Sequence, residues 1–271
     1  MTPRILFSLV LYKHKFRDFQ LLLESIENLH KLKSCDHFVE LSIYDNTPVE
    51  IESFSKLDFE RYSYNILYNR CEKNIGFGQA NNKNFESLNY SDKDVLIVSN
   101  PDIYFDGLDL SKLIVSFANN SEFSCVSPLI KNNNELIQYS AKNNPTILSL
   151  LLGFLPFLKI LKFFYIYDFN HKNKQFNYNI DCIKSTYLSG CFLLIKPHVY
   201  RKVGGFSKEF FLHLEDADIV RKCSKYGITC HYPKASVTHL WARGSHKSFT
   251  QIYLLIKSIF VYFKLWGLKI L

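Results

Sequence analysis

The chain has 271 residues, enough for one large domain with a substantial hydrophobic core. Its 47% hydrophobic and 21% charged residues are typical of a globular protein and exclude a disordered or fibrous chain. The formal net charge of +8 favours an anionic partner, such as nucleic acid, an anionic membrane surface or a phosphorylated ligand. Charge alone does not choose among these partners.

The seven cysteines are scattered and never spaced as CxxC. Several have apolar neighbours, as Cys191 does in "SGCFLLI", which predicts buried reduced thiols in a cytosolic protein. A zinc site or a disulfide framework is not expected. The amino-terminal segment "MTPRILFSLVLYKHK" has an apolar run but no small-residue cleavage site, so we predict a first strand and not a signal peptide.

The first hundred residues alternate short apolar runs with amphipathic segments. A helix is predicted over 16–32 from the helical spacing of its apolar residues, and a second helix opens near Gln79. Buried strands are predicted at 5–12, 37–46, 64–69 and 94–102. This alternation predicts a Rossmann-like, mostly parallel sheet with helices on both faces, in which ligands bind beyond the carboxyl ends of the strands. Asp45, the loop 74–78 and Asp102 follow such ends.

The middle of the chain, about 106–180, is less regular. Between 119 and 140 the pattern predicts a strand, an Asn-rich turn and another strand. Segment 145–167 is strongly apolar but is interrupted by Pro156, Lys159 and Lys162, so its longest uncharged run is shorter than the ~20 residues that cross a bilayer. No internal repeat or long linker occurs, which predicts a single domain.

The stretch "NIGFGQANN" places Gly76 and Gly78 between a strand and a helix. Glycines let backbone amides approach a ligand, and Asn81 and Asn82 on the first helical turn can hydrogen-bond a polar group. As a dinucleotide motif the match is weak, because the third glycine is replaced by Asn81 and the motif follows the third strand. An ordinary glycine turn with capping asparagines is an equal alternative.

Two carboxylates follow buried strands in turns. Asp102 in "SNPD" is suited to Mg²⁺ or Mn²⁺, since these ions share ligation with substrate phosphates. An Asp in a proline turn is common, however, and is by itself the commoner explanation. Asp45 in "YDN" has the same alternative. His239 in "VTHLWARGSHKS" could complete a metal shell with Asp102, and Arg243 could neutralise phosphate.

The stretch "FFLHLEDADIVRK" carries three carboxylates, Glu215, Asp216 and Asp218, beside an apolar wall. One acid can cap the helix that follows, and Asp218 can pair with Arg221 three residues later. One adjacent acid then has no structural task. Because a carboxylate beside apolar groups is less well solvated, it becomes a better proton acceptor at neutral pH.

The carboxyl-terminal segment 248–271 has no acidic residue. On a helical wheel Thr250, Lys257, Ser258 and Lys264 gather on one side, with apolar residues on the other. Two structures fit this pattern. One is an amphipathic helix at an anionic membrane surface, and the other is a last helix packed on the core.

Seven stretches together resemble glycosyltransferase family 2, inverting enzymes with an A-type nucleotide-sugar fold, and most of all the bacterial rhamnosyltransferases of polysaccharide synthesis. In chain order they are "SLVLYKHK", "YDN", "NIGFGQANN", "SNPD", "LSGCFLLIKPHVYRKVGGF", "FFLHLEDADIVRK" and "HYPKASVTH". The resemblance implies Asp216 as the catalytic base, and Asp102 with His239 as ligands of Mg²⁺ or Mn²⁺.

It also implies two groups of binding residues. The expected donor or nucleotide group is Ser8, Tyr12, Asp45, Asn46, Asn74, Gly76, Phe77, Gly78, Asn81, Asn82 and Asn100. The expected acceptor group is Gly190, Glu215 and Arg221. Two departures stand out. Asn100 replaces the first acid of the family's DxD, which puts strict metal dependence in doubt, and Lys13 stands where Asn is frequent.

The resemblance implies transfer of a sugar, best L-rhamnose from dTDP-L-rhamnose, to a polyprenyl-diphosphate-linked glycan of a bacterial surface polysaccharide. Residues 1–246 would form one catalytic domain, with a nucleotide-sugar half (1–105) and an acceptor half (106–246), followed by the helix 247–271. We expect a cytoplasmic protein, peripheral on the inner face of the membrane. Alternatives are another donor such as UDP-galactose or UDP-glucose, a nucleotide-cofactor oxidoreductase, an inactive scaffold, and a nucleic-acid-binding protein, for which no recognition motif is present.

Overall fold

The computed structural model describes residues 3–32, 38–49, 56–240 and 249–271. The strands are β1 (Ile5–Leu11), β2 (Val39–Asp45), β3 (Asn65–Arg70), β4 (Val95–Ser99), β5 (Ile103–Phe105), β6 (Phe123–Lys131), β7 (Ala141–Lys142), β8 (Ile183–Lys184), β9 (Tyr187–Leu188), β10 (Phe192–Ile195) and β11 (Ile228–His239). The helices are α1 (Gln20–His30), α2 (Lys56–Glu60), α3 (Phe77–Ser87), α4 (Gly107–Asn119), α5 (Ile147–Phe154), α6 (Lys162–His171), α7 (Pro197–Lys202), α8 (Glu215–Cys223) and α9 (Phe249–Trp266). Short 3₁₀ helices span Phe16–Asp18 and Pro156–Ile160.

The central sheet has the strand order β3-β2-β1-β4-β10-β6-β11-β5, with β8 paired to β11. Strands β3, β2, β1 and β4 are parallel, as predicted. The rest of the sheet is mixed, because β10 runs antiparallel between β4 and β6, and β5 runs antiparallel beside β11. A small second sheet pairs β7 with β9.

Both faces of the sheet are covered by apolar side chains. On β1, Ile5, Phe7 and Leu9 belong to the core cluster that includes residues of α1 and α4. Leu6 points to the opposite cluster, which includes residues of α3, α7 and α8. This two-sided burial explains why an interior parallel strand is a continuous apolar run without polar alternation.

Several predicted elements differ in detail from those observed. Helix α3 begins at Phe77 and not near Gln79, since Gly76 caps it with φ of 88°. The second strand predicted before residue 140 is absent from the described chain, where only an isolated bridge joins Lys131 and Ile137. Segment 145–167 forms α5, a 3₁₀ helix and α6. None of the helices in the described ranges is long and apolar enough to cross a membrane.

The last helix, α9, packs on the core, the second of the two structures that its pattern allows. The hydroxyl of Ser258 donates to the carbonyl of Leu212 over 2.7 Å, and the Trp266 indole donates to Asp218 over 2.9 Å. Tyr262 of α9 is buried, and its hydroxyl accepts a hydrogen bond from Arg221 of α8. The outward side of the helix keeps apolar residues such as Phe260 exposed.

Candidate active site

The predicted donor residues gather at the carboxyl ends of β1, β2 and β4. Asp45 ends β2 and is buried, with its carboxylate accepting the amide of Thr47 and the hydroxyl of Tyr68, each over 2.9 Å. These bonds fix the carboxylate in one orientation. At the end of β1, Tyr12 is 43% exposed and Lys13 adopts a left-handed φ of 59°.

The glycine loop before α3 is held by two asparagines. The Asn46 amide donates to the Gly76 carbonyl over 3.2 Å, while its oxygen accepts the Ile75 amide over 3.1 Å. The Asn74 side chain accepts the Gly76 amide over 2.9 Å. Gly76 needs to be glycine for two reasons: its φ is 88°, and a Cβ there would collide with the carbonyl of Phe211.

The same loop touches the segment that precedes the acidic pair. The Phe77 amide donates to the Phe211 carbonyl over 3.0 Å, so the amino terminus of α3 lies directly against the segment 210–214. Gly78 allows the first turn of α3 to approach Phe206, since a Cβ added at Gly78 would stand 2.9 Å from the Cβ of Phe206. The predicted donor loop and the acid-bearing segment are therefore one packed unit.

Asp102 and His239 lie side by side, as the resemblance implies. Strands β5 and β11 pair antiparallel so that His239 faces Ile103, and Leu240 donates its amide to the Asp102 carbonyl over 2.9 Å. The His239 Nε2 is 3.2 Å from an Asp102 carboxylate oxygen. Burial opposes the protonated form of His239, but its contacts with Asp102 and Cys191 outweigh burial and raise the pKa of His239 to about 10.

The metal-ligating side chains at this position, Asp102 and His239, fit a divalent ion that is shared with a diphosphate. The Asp102 carboxylate would supply one protein ligand, and the His239 imidazole would supply a second after releasing the proton that Asp102 and Cys191 stabilise. Mg²⁺ or Mn²⁺ would take its remaining positions from waters and phosphate oxygens. The described residues contain no group of three or more His, Cys, Asp and Glu side chains able to hold a metal without such help. Asn100, next to this pair, donates its backbone amide to the Cys191 carbonyl over 2.8 Å.

The short segment Gly190–Cys191 connects the two acids singled out from the sequence. His239 contacts both Asp102 and the thiol of Cys191. The Gly190 amide, one residue away, donates to the Asp216 carboxylate over 3.0 Å. Asp216 therefore contacts this segment just before β10 directly, and Asp102 is linked to it through His239.

Asp216 is half-buried and held by two backbone donors. Its second carboxylate oxygen accepts the amide of Ala217 over 2.8 Å. Hydrogen bonds from amides stabilise a carboxylate in its charged form. Gly190 is required at this contact, because an added Cβ would stand 2.8 Å from the Asp216 Cβ.

We expect Gly190→Ala to lower sugar transfer by about 10²-fold, since displacing a reacting group by about 1 Å costs that much. Gly153→Ala is the matched control, because a Cβ added to this glycine of α5 meets nothing within 4 Å. Initial rates and circular dichroism of both variants check this. Full activity of Gly190→Ala would mean that the approach of Asp216 to Gly190 is unimportant.

Glu215, the neighbouring acid, has a different environment. It is only 6% exposed, and its Oε2 has no hydrogen-bond partner. Burial and the adjacent charge of Asp216 raise the pKa of Glu215 to about 8. Burial and the neighbouring carboxylate therefore favour the protonated form of Glu215.

The free energy of unfolding should depend on pH through Glu215. In the unfolded chain this group has its ordinary pKa of 4.5, so stability falls as pH rises from about 4.5 to about 8, by at most ~1.4 kcal/mol per pH unit. Glu215→Gln should remove this slope and be the more stable protein at pH 7.5. Urea unfolding of both proteins at pH 5 and pH 7.5 checks this; identical pH dependence would contradict it.

The segment before the two acids has an unusual backbone. His213 and Leu214 both have left-handed φ, 71° and 62°, which side-chain-bearing residues rarely adopt. Helix α9 supports it: Gln251 hydrogen-bonds the His213 ring over 3.1 Å, and Ser258 bonds Leu212. Contacts from α9 thus hold this strained turn in place.

Three predicted donor residues, Ser8, Asn81 and Asn82, hydrogen-bond other parts of the chain. Ser8 and Asn81 are fully buried, and the serine hydroxyl donates to the asparagine oxygen over 2.6 Å. The Asn82 oxygen accepts the Phe206 amide over 2.9 Å, and its nitrogen donates to the Phe206 carbonyl. These bonds hold α3 against β1 and against the loop after α7.

The predicted pair of Asp218 with Arg221 is wrong. Asp218 accepts the Ser207 hydroxyl over 2.6 Å and the Trp266 indole, with Lys222 at 3.4 Å. Arg221 donates to the Tyr262 hydroxyl over 3.0 Å and lies over the Trp266 ring, while its predicted contact with the acceptor stays a prediction. Both side chains turn to α9 because its aromatic residues cover this side of α8.

His14 belongs to this region although no sequence pattern selected it. Burial lowers the pKa of His14, while the charges of Asp18, Asp102 and Asp45 act in the opposite direction. The ring therefore lies within electrostatic reach of the two predicted donor-side carboxylates. The signal available in the sequence was the position of His14, two residues after Tyr12 and just beyond the end of β1. Arg243, expected near phosphate, lies outside the described residues, as do Trp241 and His246.

Comparison of sequences identifies one curated relative, in two strains of Mycobacterium tuberculosis. It is the N-acetylglucosaminyl-diphospho-decaprenol L-rhamnosyltransferase, 25% identical over 179 residues, which are 61% of this chain and 56% of that enzyme. The chain thus spans a little over half the length of this relative. No family model matches the chain.

Solved structures with a similar fold are glycosyltransferases. GalNAc-T7 with UDP, GalNAc and Mn²⁺ superposes with a TM-score of 0.63 and 14% identity over 88% of this chain and 44% of that one. The mannosyltransferase PcManGT of Pyrobaculum calidifontis with GDP-Man and Mn²⁺ has a TM-score of 0.57 and 11% identity, over 91% of this chain and 59% of that one. S. aureus TarS 1–349 has a TM-score of 0.55 and 12% identity, over 96% of this chain and 72% of that one. The chain therefore has the fold of the A-type glycosyltransferases, and the predicted resemblance to a rhamnosyltransferase is confirmed at the level of sequence similarity.

Proposed function

We propose that the chain is an inverting glycosyltransferase that moves L-rhamnose from dTDP-L-rhamnose to a lipid-linked glycan in bacterial surface polysaccharide (O-antigen or capsule) synthesis. The observation that carries this proposal is the approach of Asp102, with His239, and of Asp216 to the same Gly190–Cys191 segment. The sugar and the lipid-linked acceptor rest on the mycobacterial relative, whose name specifies both.

In the proposed reaction, the acceptor hydroxyl attacks the anomeric carbon of the donor while the nucleoside diphosphate departs from the opposite face. The C–O bond to the acceptor forms, the bond to the diphosphate breaks, and the configuration inverts. Asp216 takes the hydroxyl proton as the new bond forms. A single displacement needs one such base.

Asp216, and not Glu215, suits this role. A base at neutral pH has to be ionised, and two amides stabilise the charge of Asp216. Burial beside Asp216 favours the protonated form of Glu215 instead. A protonated Glu215 adds no second negative charge next to Asp216.

At the donor end, Asp102 and His239 would hold Mg²⁺ or Mn²⁺. A bound ion would offset the negative charge that develops on the departing diphosphate. The glycine loop that Asn46 and Asn74 hold in place opens α3, and the N–H groups at the amino terminus of a helix favour anionic ligands. Asp45, at the end of β2, would contact the base or ribose.

A membrane location completes the proposal. Residues 1–246 would act as one catalytic domain on the inner face of the cell membrane, with 247–271 close to the anionic lipid. The other donors, UDP-galactose and UDP-glucose, remain second candidates because UDP-bound enzymes share the fold.

A panel of nucleotide sugars with a short lipid-linked acceptor, with and without Mg²⁺ or Mn²⁺, tests the proposal. We expect the highest rate with dTDP-L-rhamnose and stimulation by the metal. Preference for a UDP-hexose would replace the donor but keep the reaction. No transfer from any nucleotide sugar, together with binding of NADH detected by fluorescence, would favour the oxidoreductase alternative.

A further inference from the structure

The surface formed by α5, the following 3₁₀ helix and the start of α6 is unusually apolar for an exposed face. Large side chains such as Phe157, Ile160 and Phe163 are 61%, 88% and 62% exposed. The exposed members of the group are Ile147, Leu151, Phe154, Leu155, Phe157, Ile160, Leu161 and Phe163. We call this set the α5–α6 face. Exposed apolar patches of this kind mark binding sites for a membrane or a partner.

The carboxyl-terminal residues extend this face. The amide of Ile147 donates to the carbonyl of Lys269 over 2.9 Å, and the amide of Leu148 donates to that of Ile270 over 3.1 Å. Leu268, Ile270 and Leu271 are at least 60% exposed. The last residues thus lie against the beginning of α5 and add apolar area to the same side.

The exposed charges on this face are lysines, since the nearby carboxylate of Asp168 is buried and pairs with Lys159 over 2.9 Å. Segment 145–167 contains Lys159 and Lys162 and no acidic residue, and segment 248–271 contains lysines but no acid. Lys162 and Lys269 are exposed. Apolar side chains bordered by lysines match the boundary between the headgroups and acyl chains of an anionic bilayer. A second copy of the chain would oppose lysine to lysine, which disfavours self-association through this face.

The face is also close to the candidate base. Leu150 of α5 packs with the cluster of Phe210, Leu214, Ala217 and Tyr262. Ala217 follows Asp216 directly. The helix that carries much of the α5–α6 face is therefore packed on its inner side against the cluster next to Asp216.

We propose that the α5–α6 face inserts into the interfacial layer of a bilayer containing anionic lipid, and so presents a lipid-linked acceptor to Asp216. The statement about the acceptor rests on the proposed function, whereas the membrane contact does not. Lys162 and Lys269 would reach lipid phosphates while Phe157 and Ile160 enter the acyl boundary.

Co-sedimentation of the full chain with vesicles of phosphatidylcholine and 30 mol% phosphatidylglycerol (about one charged lipid in three) tests this contact. Ile160→Asp combined with Phe157→Ser should lower the vesicle-bound fraction at least about tenfold. Lys162→Glu should weaken binding to the anionic vesicles by about fivefold, an effect that high salt abolishes. The matched control is Leu136→Asp, since Leu136 is 63% exposed on the turn after β6.

Wild-type binding by the Ile160→Asp, Phe157→Ser variant would overturn the proposal, as would equal loss in the Leu136→Asp control. Conversion of a dimer to a monomer in that double variant, seen by light scattering without lipid and with no change in sedimentation, would assign the face to self-association instead. Transfer to a water-soluble acceptor lacking the polyprenyl chain should be the same in the double variant and the wild type. If the sugar-transfer assay fails, the vesicle result still tests the membrane contact. If vesicle binding fails, transfer to the water-soluble acceptor still tests the proposed function.

Discussion

The Asp216→Asn variant is expected to transfer sugar about 10²–10⁴-fold more slowly than the wild type while binding the nucleotide sugar with unchanged affinity. Asparagine keeps the size of the side chain and can still face the Gly190 amide, but it cannot accept the proton of the acceptor hydroxyl. Since the diphosphate of the donor is expected at the Asp102 region, donor binding has no need of the Asp216 charge.

The two quantities are measured separately, turnover with a short lipid-linked acceptor and donor affinity by calorimetry. Asp109→Asn is the control, because Asp109 is an exposed acid in the first turn of α4. Comparable turnover by the Asp216→Asn variant would remove Asp216 from the role of base. Loss of donor affinity with the same variant would show that Asp216 serves the donor instead.

The second large effect is expected at Asp102. Asp102→Asn should lower kcat/KM about 10²–10³-fold, since it removes the only carboxylate predicted to contact the metal and so the charge stabilisation of the leaving diphosphate. Donor affinity should also lose its dependence on Mn²⁺. His239, which lies 3.2 Å from this carboxylate, would keep its place on β11.

Titration of the nucleoside diphosphate with rising Mn²⁺ checks this prediction. Wild-type affinity should tighten with the metal, and that of the Asp102→Asn variant should stay flat. Asp92→Asn, on the exposed turn before β4, serves as the control for removing one surface charge. A variant at position 102 that still responds fully to Mn²⁺ would exclude Asp102 as a ligand.

The parallel half of the fold could be predicted because its strands are continuous apolar runs, and such runs mark interior strands. The direction of strand β10 could not be predicted, because the apolar run "FLLI" carries no information on direction. Its antiparallel insertion between β4 and β6 depends on which neighbours remain free after the parallel half has formed. The bridge at Ile137 in place of a strand has a similar cause, since only two residues near the Asn-rich turn find a partner.

In the site, residues at strand ends could be predicted, whereas contacts that depend on distant segments could not. The spacing of Asp218 and Arg221 predicted a pair, but Trp266 and Tyr262 of α9 take both side chains. Ser8 and Asn81 had the polar character of ligand contacts, yet they meet each other between β1 and α3. The sequence also contains no sign that Glu215 is buried without a partner for its Oε2.

A crystal structure of the Asp216→Asn variant with dTDP-L-rhamnose and Mn²⁺ is the most direct measurement. We expect the ion against Asp102 and His239, the diphosphate bound to it, and the anomeric carbon turned toward residue 216 across the Gly190–Cys191 segment. A nucleotide sugar bound elsewhere, or an anomeric carbon facing away from residue 216, would contradict the two-acid site.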